Sequence, residues 1–403
     1  MTPSPLVDSR AAWVRLAISL TIGVVGNIGM WAIIVILPDV QQEFNVDRAD
    51  ASLPYTLTMI GFALGNFYLG KLADKLGIFK VLLLACGMLC SGYFLCTIAP
   101  NIWAFSAIQL IIGIGTGASF SPLMADISHW FFRRRGIAVA LVASGNYLSG
   151  AVWPILLNDI ASQEGWREVY HYLLFFVPVI VIPLAYVMGP SMPTTNAVVS
   201  TKIQKSHKTS FSPSTLQYLL AIAGVGCCVA MSMPQVHIVA YCVDLGYGPA
   251  VGAEMLSLML LGGVFSRIGS GLLADKIGGM ATLMLGAILQ CLALFIYLPF
   301  DGLVPLYIVS LIFGLSQGGI VPSYALVIRE YLPANEAGQR IGFVVMATIW
   351  GMALGGWMSG WIYDMTQSYQ LAFVNGIAWN ILNIAIIMIV FFNGRPPSKL
   401  SHA

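Results

Sequence analysis

Arg267 is the residue whose position most needs explaining, because it sits among apolar and small residues eight positions before Asp275. If Asp275 marks the end of a membrane-crossing helix, a rise of about 1.5 Å per residue puts the guanidinium roughly 12 Å inside. That is close to the midplane of a hydrocarbon layer about 30 Å thick. A charge at this depth needs a partner, and no Asp or Glu falls at a comparable depth in the sequence. A cation without a resident acid is suited to a mobile anion, and the planar fork of arginine matches a carboxylate with two parallel hydrogen bonds. Two structural readings compete: snorkelling to the nearer surface, or bonding of helix-end carbonyls. Gly263, Val264, Ser270 and Gly271 share its face, whereas Leu258, Leu261, Phe265, Ile268 and Leu272 lie opposite. Small residues suit close packing or a cavity wall, so the arginine is expected to point inward.

His237 is the second titratable group in an apolar stretch, following Pro234. Imidazole titrates near neutral pH and could carry a coupling proton; it could equally stay neutral and bond a neighbouring helix. Trp31, Phe120, Asn146, Tyr147, Tyr241, Tyr324 and Trp350 could line a central cavity, since small-molecule sites are mostly apolar with few polar anchors. Ordinary core packing or contact with lipid is the competing reading for each aromatic. No set of residues suggests a nucleophile with its base, a metal centre or a phosphate-cradling loop, so neither an enzyme nor a nucleotide-driven pump is expected. The seven cysteines fall inside apolar stretches without metal-ligand spacing and read as small buried hydrophobes. No cofactor and no nucleic-acid partner is expected.

The elements that hold these residues must be helices in a bilayer. Of 403 residues, 58% are hydrophobic and 9% charged, against about a quarter charged in soluble domains. Apolar runs long enough to cross a bilayer recur throughout, and helices satisfy their own backbone there. The expected spans are 13–37, 52–73, 80–99, 103–128, 136–160, 168–189, 215–243, 251–273, 280–298, 303–330, 338–363 and 370–392. The first run is read as a span and not as a cleavable signal peptide, because it is long and a second span follows closely. The sequence divides into a bundle at 1–189, a linker at 190–214 and a second bundle at 215–403. Basic residues collect on the side that carries both termini, leaving only Arg48 and Arg167 in the opposite loops. The excess of Lys and Arg predicts cytoplasmic termini; the membrane expected is the inner (plasma) membrane.

The stretch Gly70-Lys71-Leu72-Ala73-Asp74-Lys75-Leu76-Gly77 returns as Gly271-Leu272-Leu273-Ala274-Asp275-Lys276-Ile277-Gly278, at an offset of 271 − 70 = 201 residues. Duplicated bundles around a midplane site are a recurring transporter plan. This G-x-L-A-D-[RK]-x-G loop, repeated between the second and third spans of each half, resembles the signature of the major facilitator superfamily along essentially the whole chain. The resemblance implies twelve helices in two pseudo-symmetric six-helix bundles. It implies gate roles for Asp74 and Asp275, working with basic partners such as Lys71, Arg134 and Arg135. A solvated charge at a tight turn is the plainer alternative.

Trp130-Phe131-Phe132-Arg133-Arg134-Arg135-Gly136-Ile137-Ala138 and Gly145-Asn146-Tyr147-Leu148-Ser149-Gly150 are similar to stretches of monocarboxylate transporters and oxalate:formate antiporters. In those families an eighth-span arginine binds the substrate carboxylate, which Arg267 matches. Two departures matter. Gly263 stands where animal monocarboxylate transporters carry an aspartate tied to proton coupling, and Met346 lies near the place of the antiporters' eleventh-span lysine. A single cation favours a monoanion, since a dianion would leave one charge unpaired in a low-dielectric cavity. The expectation is a carrier of a small organic anion, most simply a monocarboxylate, coupled to a proton or a counter-anion and working as a monomer. A dicarboxylate or oxalate exchanger and a multidrug-type exporter are the alternatives.

Overall fold

The computed structural model describes residues 7–131, 134–189, 211–332 and 337–393. Sixteen helices follow in order: α1 (Arg10–Gly26), α2 (Ile28–Phe44), α3 (Arg48–Leu76), α4 (Ile78–Thr97), α5 (Ile102–Gly117), α6 (Ser121–Trp130), α7 (Arg135–Ala143), α8 (Gly145–Glu164), α9 (Trp166–Met188), α10 (Pro213–Asp244), α11 (Pro249–Ile277), α12 (Gly279–Tyr297), α13 (Leu303–Gln317), α14 (Ile320–Tyr331), α15 (Ala337–Thr366) and α16 (Gln370–Asn393). The pairs α1–α2, α5–α6, α7–α8 and α13–α14 are each one interrupted rod, so the described residues form twelve rods, matching the expected spans. Eleven of them are long and apolar enough to cross a membrane. The twelfth, α3, has the length, but Ser52, Thr56, Thr58 and Asn66 dilute its apolar character. Most of the linker expected at 190–214 lies outside the described residues.

Local sequence sets the ends of the rods. Ser9, Asn101 and Ser212 each accept a backbone N–H of the helix they precede, from Ala12, Ala104 and Thr215. The repeated loop closes the same way in both copies: the Gly77 and Gly278 N–H groups donate to Ala73 and Ala274 carbonyls at 2.9 Å. Both glycines hold positive φ, +82° and +86°, which a side chain would oppose. The interruptions are polar or glycine-rich. Asn27 splits α1 from α2 and donates to the Gly23 carbonyl at 2.6 Å, and Ser144, between α7 and α8, donates to Ala140 at 2.8 Å. Irregular backbone at membrane depth is tolerated only inside protein, and Ala118 and Ser119 between α5 and α6 are buried.

Packing repeats the duplication. A Cβ on Gly113 of α5 would stand 2.1 Å from the Thr58 carbonyl of α3, and one on Gly314 of α13 would stand 2.0 Å from the Met259 carbonyl of α11. The two pairs are related by 314 − 113 = 201 and 259 − 58 = 201, the offset of the loop motif. Helices in lipid associate through such close backbone contact, because lipid offers no hydrophobic gain between them. Buried polar clusters tie each half internally. Gln109 accepts from Thr58 and donates to Tyr170, and Tyr324 donates to Asn383 at 2.6 Å. Arg15 of α1 holds Asp126 of α6 at 2.7 and 2.8 Å and also donates to the Met188 carbonyl. The two bundles meet where α3 crosses α15, α8 crosses α11, and α2 crosses α10.

Candidate functional site

The halves are separated at one end and locked at the other. At the end bearing the chain termini, a cavity of about 610 Å³ reaches inward between the bundles. Asn66, Phe120 and Ser121 line it from the first half, and Gln217, Arg340 and Met346 from the second. Arg340 donates to the Gln217 side chain at 2.5 Å. Trp350, 47% exposed, continues the Met346 face of α15 one turn deeper.

Four expected site residues come together at the α2–α8–α11 junction. The Trp31 indole donates to the Asn146 carbonyl at 3.1 Å. Arg267 stacks on the Tyr147 ring with its guanidinium carbon 4.1 Å from the centroid. Its Nε donates to the Gly318 carbonyl at 3.2 Å, and Nη1 donates to the Ala143 carbonyl of the opposite half at 2.7 Å. Both acceptors lie at helix interruptions, where a carbonyl has lost its intrahelical partner. Arg267 lies 277 − 267 = 10 residues from the end of α11. It has no acid within ion-pair distance among the described residues. The Asn146 side-chain oxygen is buried without a hydrogen-bond partner. The half-buried Arg267 is not among the residues lining the large cavity, nor is Tyr147. A Cβ on Gly263 would approach the Tyr147 ring at 3.7 Å.

The remaining expected residues lie elsewhere. Tyr324 is buried inside the second half, on Asn383. Tyr241 packs edge-on against Tyr369 and Phe373 near the locked end. At the terminus end, Asp74 and Asp275 are exposed and make no ion pair or hydrogen bond among the described residues, in keeping with bundles parted there. Lys71 lies over the Phe67 ring at 3.9 Å, and Arg134 lies 5.9 Å from the Trp13 centroid. Arg135 begins α7, and its side chain is outside the described set, as is Arg133.

Sequence reasoning missed the lock at the far end. Asp364 of α15 accepts the Arg48 and Ala49 backbone N–H groups at 2.8 and 2.7 Å, capping α3 of the opposite half. The Arg48 side chain donates to Asp244 of α10 at 3.1 Å and to the Tyr369 hydroxyl at 2.7 Å. It also lies over the Tyr363 ring at 4.6 Å. His237 is fully buried beside this lock, with Nδ1 3.1 Å from the Tyr369 hydroxyl and Nε2 2.8 Å from the Gly356 carbonyl. Burial pushes the Tyr369 phenol above its ordinary range despite the pull of Arg48, so it remains a hydroxyl that can donate. A signal was available: Arg48 is one of only two basic residues assigned to that end.

Comparisons with known proteins agree with this architecture. The family model described as Major Facilitator Superfamily matches residues 20–339 and 283–403. Monocarboxylate transporter 13 of Rattus norvegicus is 24% identical over 359 residues, covering 88% of this chain and 82% of that protein. A gentisate transporter of Corynebacterium glutamicum is 22% identical over 374 residues, covering 85% and 81%. Among solved structures, a bacterial homolog of the human lysosomal transporter Spinster superposes with a TM-score of 0.76 at 11% identity, over 98% of this chain and all of that one. The nucleoside transporter NupG gives a TM-score of 0.70 at 14% identity, over 93% of this chain. The duplicated loop, the paired glycine contacts and the rods that part at one end and lock at the other fit these likenesses, and the chain belongs to the major facilitator superfamily.

Proposed function

We infer that this transporter carries a small monocarboxylate by alternating access, with Arg267 as the group that recognises the carboxylate. The observation that supports this most directly is a guanidinium at the junction of the two halves with no acid partner among the described residues. Two of its five N–H donors serve carbonyls, one in each half. The others are read as donors for an arriving carboxylate, with the Tyr147 face against the guanidinium as an apolar wall and the neighbouring Asn146, its amide oxygen unpartnered, as a candidate polar one. The cavity falls within the usual size for small-molecule sites, and it offers the route in from the terminus end. Phe120, Met346 and Trp350 are read as its apolar lining. The similarity to monocarboxylate and gentisate transporters points to the same substrate class.

The division into bundles at 1–189 and 215–403, joined by 190–214, belongs to this reading. So do a monomeric carrier in the inner membrane with cytoplasmic termini, and Asp74 and Asp275 as charges that re-pair when the terminus end closes. Coupling is to a proton or a counter-anion. The bonds to Gly318 and Ala143 favour a second reading, in which Arg267 only clamps the two halves together.

Uptake of a panel of small carboxylates into proteoliposomes separates the readings. Arg267→Ala and Arg267→Lys are expected to lose saturable uptake, and the thermal shift induced by carboxylates, while remaining folded and monodisperse. Saturable uptake at the wild-type rate by the alanine variant would leave the arginine a clamp and the cargo unassigned.

A further inference from the structure

We propose that protonation of His237 releases the far-end lock, with Tyr369 passing the change from the imidazole to Arg48. This rests on reading the chain as a carrier that opens at both ends, and it names the group through which a proton would act.

The contacts admit one order of protons. A carbonyl can only accept, so Nε2 carries the hydrogen that bonds Gly356, and Nδ1 of the neutral ring offers a lone pair. The Tyr369 hydroxyl donates to that lone pair, and its oxygen accepts from Arg48 Nη1. One phenol is therefore donor to the second half and acceptor from the first. When a proton from water adds to Nδ1, the lone pair becomes an N–H bond. Both ring nitrogens are then donors, the Tyr369 hydrogen must turn away, and the phenol oxygen faces donors on two cations.

Among the described residues, the two acids that touch this cluster, Asp244 and Asp364, are already held by other groups. From α3 the groups facing this cluster are Arg48 and Tyr55, and from α15 they are Tyr363 and Asp364. On α10 itself they are Tyr241 and Asp244. Asp364 is committed to the α3 backbone and Asp244 to Arg48. Toward this end α2 carries Asp39 and Glu43, of which Glu43 holds Arg167, and α11 carries Glu254, bonded to Tyr307. No acid lies within ion-pair distance of His237 among the described residues, and α16 has no titratable side chain. The titratable groups of α14, namely Tyr324, Arg329, Glu330 and Tyr331, belong to the rod segment that runs to the terminus end. A proton on His237 is thus bound best in a state where water reaches the ring, and by linkage it favours that state.

Spin labels on cysteines placed at exposed Gln42 and Gln370, one in each half at the far end, read the lock directly in nanodiscs without substrate. Six of the native cysteines are buried and Cys90 is half-buried. Between pH 8 and pH 5 the open-to-closed ratio is expected to rise about tenfold or more. His237→Gln keeps an N–H for Gly356 but cannot take up the proton, and should stay closed at both values. Tyr369→Phe should be more open at both and respond little to pH. A wild-type distance distribution that does not move, or the same pH response in His237→Gln, overturns the proposal. Loss of carboxylate flux with the pH response intact would instead count against the carrier reading alone.

Discussion

Replacing Asp364 with asparagine tests the far-end lock where one half caps a helix of the other. Each carboxylate oxygen takes one of the N–H groups that α3 cannot satisfy internally, at 2.8 and 2.7 Å. A hydrogen bond to a charged acceptor contributes about 1.5–3 kcal/mol and a neutral one about 0.5–1.5. Asparagine keeps one acceptor and turns an NH₂ group toward the other N–H, so about 2–4 kcal/mol of local interaction is lost. Asp364 is only half-buried, and halving the figure for solvent leaves about 1–2 kcal/mol. That raises the open-to-closed ratio about 5- to 30-fold. Ser52, fully buried and bonded to the Arg48 carbonyl, lies behind the lock. In a Ser52→Cys background, modification by an impermeant maleimide should accelerate by the same factor, because the reagent reaches the thiol only when the end opens. Labelling rates within twofold of each other would refute the reasoning and leave Asp364 a surface cap without a share in the lock.

Other perturbations separate packing from transport. Gly113→Ala and Gly314→Ala push a methyl onto carbonyls at 2.1 and 2.0 Å; each should cost about 1–3 kcal/mol or more and lower the thermal midpoint, whereas Gly87→Ala meets nothing within 4 Å and should not. Asp126→Ala strands the buried Arg15 charge, so it should destabilise the chain by about 3–5 kcal/mol in denaturant titrations. Met346→Lys adds a cation to the cavity wall that already holds Arg340, bonded to Gln217; if carboxylates enter there, dianions should gain in competition with monoanions, and an unchanged preference would remove the cavity from the substrate path.

The twelve rods were legible because bilayer thickness fixes the length of an apolar run and the duplicated loop fixes the register of the halves. The face of α11 was legible in part: Leu261, Phe265, Ile268 and Leu272 are exposed and Gly263 and Val264 are buried, but Leu258 and Ser270 are half-buried and Gly271, expected inward, is exposed. The four interruptions were not: the Asn27 and Ser144 side chains bond only carbonyls four residues back in their own rods, a pattern any helical Asn or Ser can adopt. Arg15, one of the basic residues on the terminus side, pairs with Asp126, 126 − 15 = 111 residues away, a contact that spacing alone does not reveal. The far-end lock was hidden for the same reason. Asp244, Asp364 and Tyr369 each end a span unremarkably, and only the fold brings them to Arg48.

The two halves are not interrupted alike. Asn27 and Ser144 interrupt the first and fifth rods, but their counterparts 201 residues on, Cys228 and Val345, sit within the unbroken α10 and α15. At Asn27 the backbone leaves helical geometry (φ −94°, ψ 1°), whereas Ser144 keeps its backbone bonds to Ala140 and from Leu148. On the carrier reading proposed above, the first bundle has a joint within its first rod that the second lacks, so the two halves need not move as equal copies.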